Sequence, residues 1–340
     1  MTNDEGTAAG TAPGAESLPA PPDAAMALPR PDLTDLVDGA RAYMAAATSP
    51  ATRRAYAADW RIFQAWCDRH GLSALPTEPA AVVLFLTAEA TAGRKVATIE
   101  RRLAAIGYHH RAARLPAPTA MPGALDIERA LKGIRRTHGV APAQKAPATA
   151  ELVERMVRAI TGDGARDLRD RALLTFGMAT AQRRSTLAAI RVEDLTWAKD
   201  GVELRIPRSK TDQEGRGRVI GVPRGLRLQP VHHLEAWMER AGIAGGFLFR
   251  RVLRGGRVLE QGMSGEAIAL VVQERAAAAG LDPAQFGGHS LRAGFLTSAI
   301  DSGADLFRAA DQSGHQSLDT LRGYVRRREL FKKHAGAGFL

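Results

Sequence analysis

The chain has 340 residues, more than one typical domain of roughly 100 to 200 residues, so two domains are expected, each with its own core. Its 47 Lys and Arg exceed its 36 Asp and Glu to give +11, while residues 1–30 hold Asp4, Glu5, Glu16 and Asp23 against Arg30 alone; the basic excess lies beyond residue 30 and points to a polyanionic partner, DNA or RNA. A single cysteine, Cys67, excludes an intramolecular disulfide and a cysteine-based zinc cluster, and no apolar stretch reaches the roughly 18 residues of a membrane span. With no basic-then-apolar order at the N-terminus, a soluble cytoplasmic protein that does not engage a membrane is expected.

Residues 1–30 are dominated by Ala, Pro, Gly, Thr and Asp, with too little apolar surface to offset ordering entropy, and are expected to be a disordered tail. From 31 to 139 the pattern is helical. Ser49 followed by Pro50 signals a helix start, and Tyr56, Trp60, Phe63, Trp66 and Cys67 then recur on one face until Gly71. Trp60, Phe63 and Trp66 are expected in the core rather than as a base-stacking platform. Thr77 and Pro79 open a second run through Leu84, Phe85 and Leu86; Ile99, Leu103 and Ile106 mark a third; Leu125, Ile127, Leu131 and Ile134 mark a fourth. Four or five helices thus make an all-α domain. Residues 140–148, with Pro142 and Pro147, break helices twice and are expected to be an extended linker, after which Thr149 caps a new helix. The second domain, 149–333, is mostly helical. Within it the alternation over Val202–Ile206, a polar turn over Thr211–Gly215, and the return over Val219–Val222 predict a β-hairpin. Residues 334–340 form a C-terminal tail, and no repeat recurs at a fixed period.

Four separated segments of the second domain carry chemistry-bearing residues. From Gly177 to Leu187 an apolar helix ends, Arg183 and Arg184 follow, and Ser185 is expected to cap the next helix; an arginine at such a junction can turn its planar fork to a phosphate. The hairpin tip carries Lys210, whose ammonium can donate a proton to a leaving oxygen. His289 and Arg292 lie three apart, hence on one helical face and able to reach one phosphate together. Finally His315 follows Gly314, and Tyr324 stands nine residues on. The adjacent pairs His109 and His110, and His232 and His233, cannot share a helical face and read as structural or surface residues.

These segments, in this order and behind a helical domain, resemble the tyrosine recombinases, or phage-type integrases, over about residues 31–333. The resemblance implies a mainly α fold with a small β-hairpin or sheet: an N-terminal all-α, SAM-like core-binding domain and a mixed α/β catalytic domain. It implies a site-specific recombinase or integrase, bacterial-type and associated with the nucleoid or a mobile element, that cuts and rejoins double-stranded DNA through a 3′-phosphotyrosine. Residue by residue, Tyr324 would be the nucleophile, Arg183, Arg292 and His315 the phosphate clamp, His289 the base that takes the tyrosine proton, and Lys210 the acid for the 5′ leaving oxygen. Because the phosphotyrosine conserves the bond energy, no ATP, metal or other cofactor is implied, and no Gly-rich nucleotide loop or carboxylate metal cluster stands in the sequence. The resemblance further implies a C-shaped clamp on the duplex and a tetramer on two DNA sites, with the tail after Tyr324 packing on a neighbouring subunit; it specifies no accessory protein. Arg53, Arg54, Arg101, Arg102, Arg135 and Arg136 of the helical domain are then expected to contact the DNA backbone. Two positions depart from the family pattern: Gln182 where Leu is usual before the first arginine, and Thr186 where Glu or Asp is usual three residues after it. A type IB topoisomerase would share the nucleophile and clamp but relax supercoils as a monomer. A DNA-binding regulator with weakened catalysis would share the fold, and Thr186 bears on that reading.

Overall fold

A computed structural model describes residues 33–140, 145–207, 217–315, 317, 321 and 323, so the expected tail 1–30, Lys210 and Tyr324 lie outside the described residues. The chain divides into two compact units, Met1–Pro142 and Ala143–Leu340.

The described part of the first unit is helical: α1 (Thr34–Ala46), α2 (Pro50–Arg69), α3 (Pro79–Thr91), α4 (Val96–Ala112) and α5 (Ala124–His138), with a 3-10 turn at Pro118–Ala120. α2 begins as its sequence dictates, the Ser49 hydroxyl accepting from Thr52 N with Pro50 in the first turn. Its apolar stripe buries Trp60, Phe63, Trp66 and Cys67 against Phe85 and Leu86 of α3, Ile99 and Ile106 of α4, and Ile127 of α5. Phe63 and Phe85 meet edge to face with centroids 5.0 Å apart. His110 is buried here: its Nε2 accepts from Thr77 N at 3.0 Å and its Nδ1 donates to Ile106 O at 2.8 Å, so it ties α4 to the start of α3. α1 instead leaves Leu36, Tyr43 and Met44 exposed.

The second unit contains α6 (Ala150–Arg158), α7 (Ala165–Thr180), α8 (Arg184–Ala189), β1 (Leu195–Ala198), β2 (Gly201–Ile206), β3 (Arg218–Pro223), α9 (Pro230–Ala241), β4 (Arg250–Val252), β5 (Val258–Gly262), α10 (Gly265–Ala278), α11 (Ser290–Asp301) and α12 (Leu306–Ser313). The expected hairpin is β2 and β3, paired antiparallel with Leu204 opposite Ile220 and Ile206 opposite Arg218. Two further pieces of sheet accompany it: β1 pairs with β2, and β4 and β5 form a ribbon of their own. Val202, Leu204 and Ile206 turn inward, and Glu203 and Arg205 outward, as the period of two requires. α7 is buried along most of its length through Leu173, Leu174 and Phe176, with Trp237 of α9 in the same core donating its Nε1–H to Leu248 O at 2.9 Å.

The segment expected to be a linker is extended, but its described second half is docked. Ala146 N donates to Gln285 O (2.7 Å), Ala148 N donates to Ser290 O (2.9 Å), and Ala150 N donates to the Ser298 hydroxyl (2.9 Å). Residues 146–150 therefore run from the loop before α11 along that helix as far as Ser298. A Cβ on Gly294 would stand 1.7 Å from Ala148 O, so this contact between strand-like backbone and helix exists only because residue 294 is glycine.

Candidate active site

α7 stops at Ala181, which takes a left-handed conformation at φ 54°. The break is immediate, so α8 starts earlier than the sequence suggests: Arg183, extended at φ −67° and ψ 148°, precedes its first turn, while Ser185 lies exposed inside α8 and caps nothing. Arg183 is half-buried at this junction.

Arg292, in the first turn of α11, is 6% exposed. Its Nη1 donates to the carbonyls of Ala181 (2.9 Å) and Ser313. One guanidinium thus joins the end of α7, which leads to Arg183, to the end of α12, which leads to His315. Burying a guanidinium costs several kcal/mol unless its hydrogens are used, and carbonyl acceptors of this kind return roughly 1.5–3 kcal/mol each. Arg292 Nη2 lies 3.0 Å from His315 Nε2. His289, three residues earlier, is exposed at the residue before α11.

α12 is started by Asp305, whose carboxylate accepts from Phe307 N and Arg308 N, and is ended by Gly314 at φ 69°. His315 follows at once. The Ser313 hydroxyl donates to Ala309 O at 2.7 Å and so accepts from His315 Nδ1, also 2.7 Å away. That leaves Nε2 as the basic nitrogen turned to Arg292. Burial first, then the positive charges of Arg292, Arg183 and Arg218, push the His315 imidazole down to about 4. The ring is therefore neutral near pH 7 and surrounded by cations.

Arg218 is the residue that the motifs do not reveal. It heads β3 and donates to the carbonyls of Asp311 and Gln312 (3.2 Å to the latter) and to Gln182 Oε1 (2.9 Å). Burial and the nearby charge of Arg183 hold its guanidinium below the usual arginine range, with Asp311 acting the other way. A signal for it exists in the sequence: in the alternation that turns Val219 outward and Ile220 inward, Arg218 falls on the inward face.

Lys210 and Tyr324 lie outside the described residues, but Leu321, three residues before Tyr324, is fully buried against Leu296, Ala309 and Ala310. In the first unit the six expected DNA-contact arginines divide. Arg102 is a correction: its side chain is 9% accessible and pairs with Glu89 and with Asp59, so it locks α4 onto α2 and α3. Arg101 makes two bonds to Asp59, at 2.7 and 3.0 Å, and Arg135 pairs with Glu100 at 2.7 Å. Arg53 donates to Thr48 O, and Arg54 and Arg136 are exposed.

The half-buried imidazoles carry a pH consequence. His233, beside His232 and Arg171, is also lowered to about 4, chiefly by burial. Both histidines are neutral in the folded protein where the unfolded chain protonates near 6.5, so unfolding takes up protons and stability falls as the pH is lowered through that interval. The melting temperature is expected to drop between pH 6.5 and 5, above the carboxylate range, and His233→Gln to flatten the slope; a flat wild-type profile there would contradict the assignment.

Residues 148–330 match the phage integrase family. An integrase/recombinase xerD homolog of Selenomonas ruminantium is 34% identical over 291 residues, covering 84% of this chain and 84% of that protein. Among solved structures, the XerH site-specific recombinase bound to palindromic difH substrate, a post-cleavage complex, aligns at TM-score 0.55 and 18% identity over 77% of this chain and 72% of that one. A lambda integrase tetramer bound to a Holliday junction aligns at TM-score 0.51 and 16% identity over 84% and 77%. These two likenesses are of fold.

Proposed function

Because the chain belongs to the phage integrase family and is a tyrosine recombinase, we propose that it cuts and rejoins double-stranded DNA through a 3′-phosphotyrosine on Tyr324. It does so as a tetramer holding two sites; the relative solved on a Holliday junction as a tetramer supports that assembly. The observation that carries the reading is the gathering of Arg183, Arg218 and Arg292 around one neutral imidazole. Positive charges so collected favour an anion, and the substrate that the family recognises supplies one at the scissile phosphodiester.

The residues then act in order. Arg183 and Arg292 hold the non-bridging oxygens and stabilise the charge that builds on them in the in-line displacement. The phosphate's negative charge also works against the burial and the cation repulsion that together keep His315 neutral, so His315 gains a proton on Nε2 and becomes a further donor. His289 takes the proton of Tyr324, whose phenol would otherwise stay protonated up to about pH 10. The tyrosine oxygen bonds to phosphorus as the bond to the 5′ oxygen breaks, and Lys210 protonates that oxygen. Resealing runs the same steps backwards onto another strand.

A nicked suicide substrate, drawn from the DNA that flanks the gene, tests this. The wild type should accumulate a detergent-resistant protein–DNA adduct, and peptide mapping should find the nucleotide on Tyr324. A second site in the same tube should yield exchanged flanks, which relaxation alone does not produce. No adduct on any flanking site would end the reading.

A further inference from the structure

Three elements that the chain brings together from far apart meet at Arg218. Its Nη2 donates to the Oε1 of Gln182, which is 3% exposed, and Gln182 Nε2 in turn donates to Gln312 O at 3.2 Å. Its Nη1 donates to the carbonyls of Asp311 and Gln312 in the last turn of α12, where Asp311 O also accepts from Gly314 N at 3.3 Å. The Gln312 side chain closes the set from the other direction, its Nε2 donating to Ala179 O of α7 (2.8 Å) and Gly221 O of β3 (3.0 Å). The Arg218 guanidinium also lies against Gly314: a Cβ there would stand 2.7 Å from Nη2 and 2.8 Å from Cζ. Gly314 suits the left-handed turn, and any side chain there would have to displace the end of the arginine beneath it.

We propose that Gln182, Arg218 and Gln312 form a brace in which Arg218 is a positioning residue: it seats the Gly314 turn on the end of α7 and so sets where His315 stands relative to Arg292 and Arg183. Nη1 donates to two carbonyls of α12 and Nη2 to Gln182 Oε1, so Arg218 is placed to act through the seat of His315. Gln182, where the family pattern has Leu, is the buried acceptor that this arginine needs; a Leu would leave Nη2 desolvated without it. The charged groups facing the imidazole are Arg292 from α11, Arg183 from the α7–α8 junction and Arg218 from β3, with Asp311 of α12 beside Arg218. The brace rests on the recombinase reading for what His315 does, but not for what holds it.

The test separates charge from geometry. Arg218→Met removes both, Arg218→Lys keeps the charge without the fork, and Gln182→Leu removes one acceptor. In the DNA-free protein, the His315 imidazole followed by NMR should titrate higher in Arg218→Met than in the wild type and stay low in Arg218→Lys. In single-turnover cleavage both variants should be slower by on the order of tenfold to a hundredfold, the size usual for groups that orient others, with DNA binding retained. Gln182→Leu should slow cleavage too, and the Gln182→Leu/Arg218→Met double variant should be no slower than Arg218→Met. Should Arg218→Met fail to fold, Arg218→Lys and Gln182→Leu carry the kinetic comparison. Wild-type titration and wild-type cleavage in Arg218→Met, or Arg218→Lys and Gln182→Leu cleaving at the wild-type rate, overturn the brace. A wild type that forms no adduct, in a protein where Arg218→Met still shifts the imidazole, removes the recombinase reading and keeps the brace.

Discussion

Tyr324→Phe should bind its DNA site with wild-type affinity and leave no covalent adduct on a nicked substrate. The substitution removes one oxygen and keeps the ring, and the preceding anchor, Leu321 buried against α11 and α12, is untouched. Binding rests on cations elsewhere in the chain, so it should be retained. Cleavage has no second nucleophile in this scheme, and a fall of roughly 10⁴-fold or more is expected, as for other removed nucleophiles. Gel shift and denaturing electrophoresis on the same samples read the two quantities. An adduct persisting in Tyr324→Phe would move the nucleophile to another residue.

Arg292→Ala should lose both rate and stability, for two separable reasons. In the transition state it takes away a preorganised donor, worth roughly 3 to 4 kcal/mol, which is a factor of about 10² to 10³ in cleavage. In the resting protein it leaves the carbonyls of Ala181 and Ser313, which its Nη1 now satisfies, without that donor in a buried place. Each such loss costs about 1 to 3 kcal/mol, and in a unit of this size each kcal/mol lowers the melting temperature by roughly 2 to 4 °C. His315 should also titrate higher, because Arg292 is the largest of the charges that hold it down. Arg292→Lys keeps a charge but not the fork that spans α7 and α12, so it should recover less rate than a charge-only account allows. Single-turnover cleavage and thermal melting decide the matter, and an alanine variant cleaving within tenfold of the wild type would remove Arg292 from the clamp.

The legible parts of this protein are those in which local spacing and burial coincide. Phe63 and Trp66 declare their helix and its buried face together, and the alternation from Val202 to Ile206 declares strand and inward face together. The order of Arg183, His289, Arg292 and His315 was legible as a pattern, but the reason for it was not. That Arg292 binds Ala181 O and Ser313 O depends on backbone carbonyls, which every residue has and no motif records. Arg101 and Arg102 show the limit of spacing: which of two adjacent arginines is buried depends on Asp59 and Glu89 on other helices. β1 escaped because four residues with one half-buried and three exposed side chains show no alternation, and Ser185 failed as a cap because the left-handed Ala181 begins the next helix sooner. Gln182 looked like a departure and is a partner: its meaning lay 36 residues away, in Arg218.

The glycine at position 294 has a mechanical side. Backbone at Ala148 lies on α11 with no side chain between them, and the hydrogen bonds of Ala146, Ala148 and Ala150 fasten the incoming chain to the loop and first turns of that helix. From Ala146 onward no slack separates the described peptide from the helix that bears Arg292. A pull applied at Ala146 is therefore delivered to the clamp's own support.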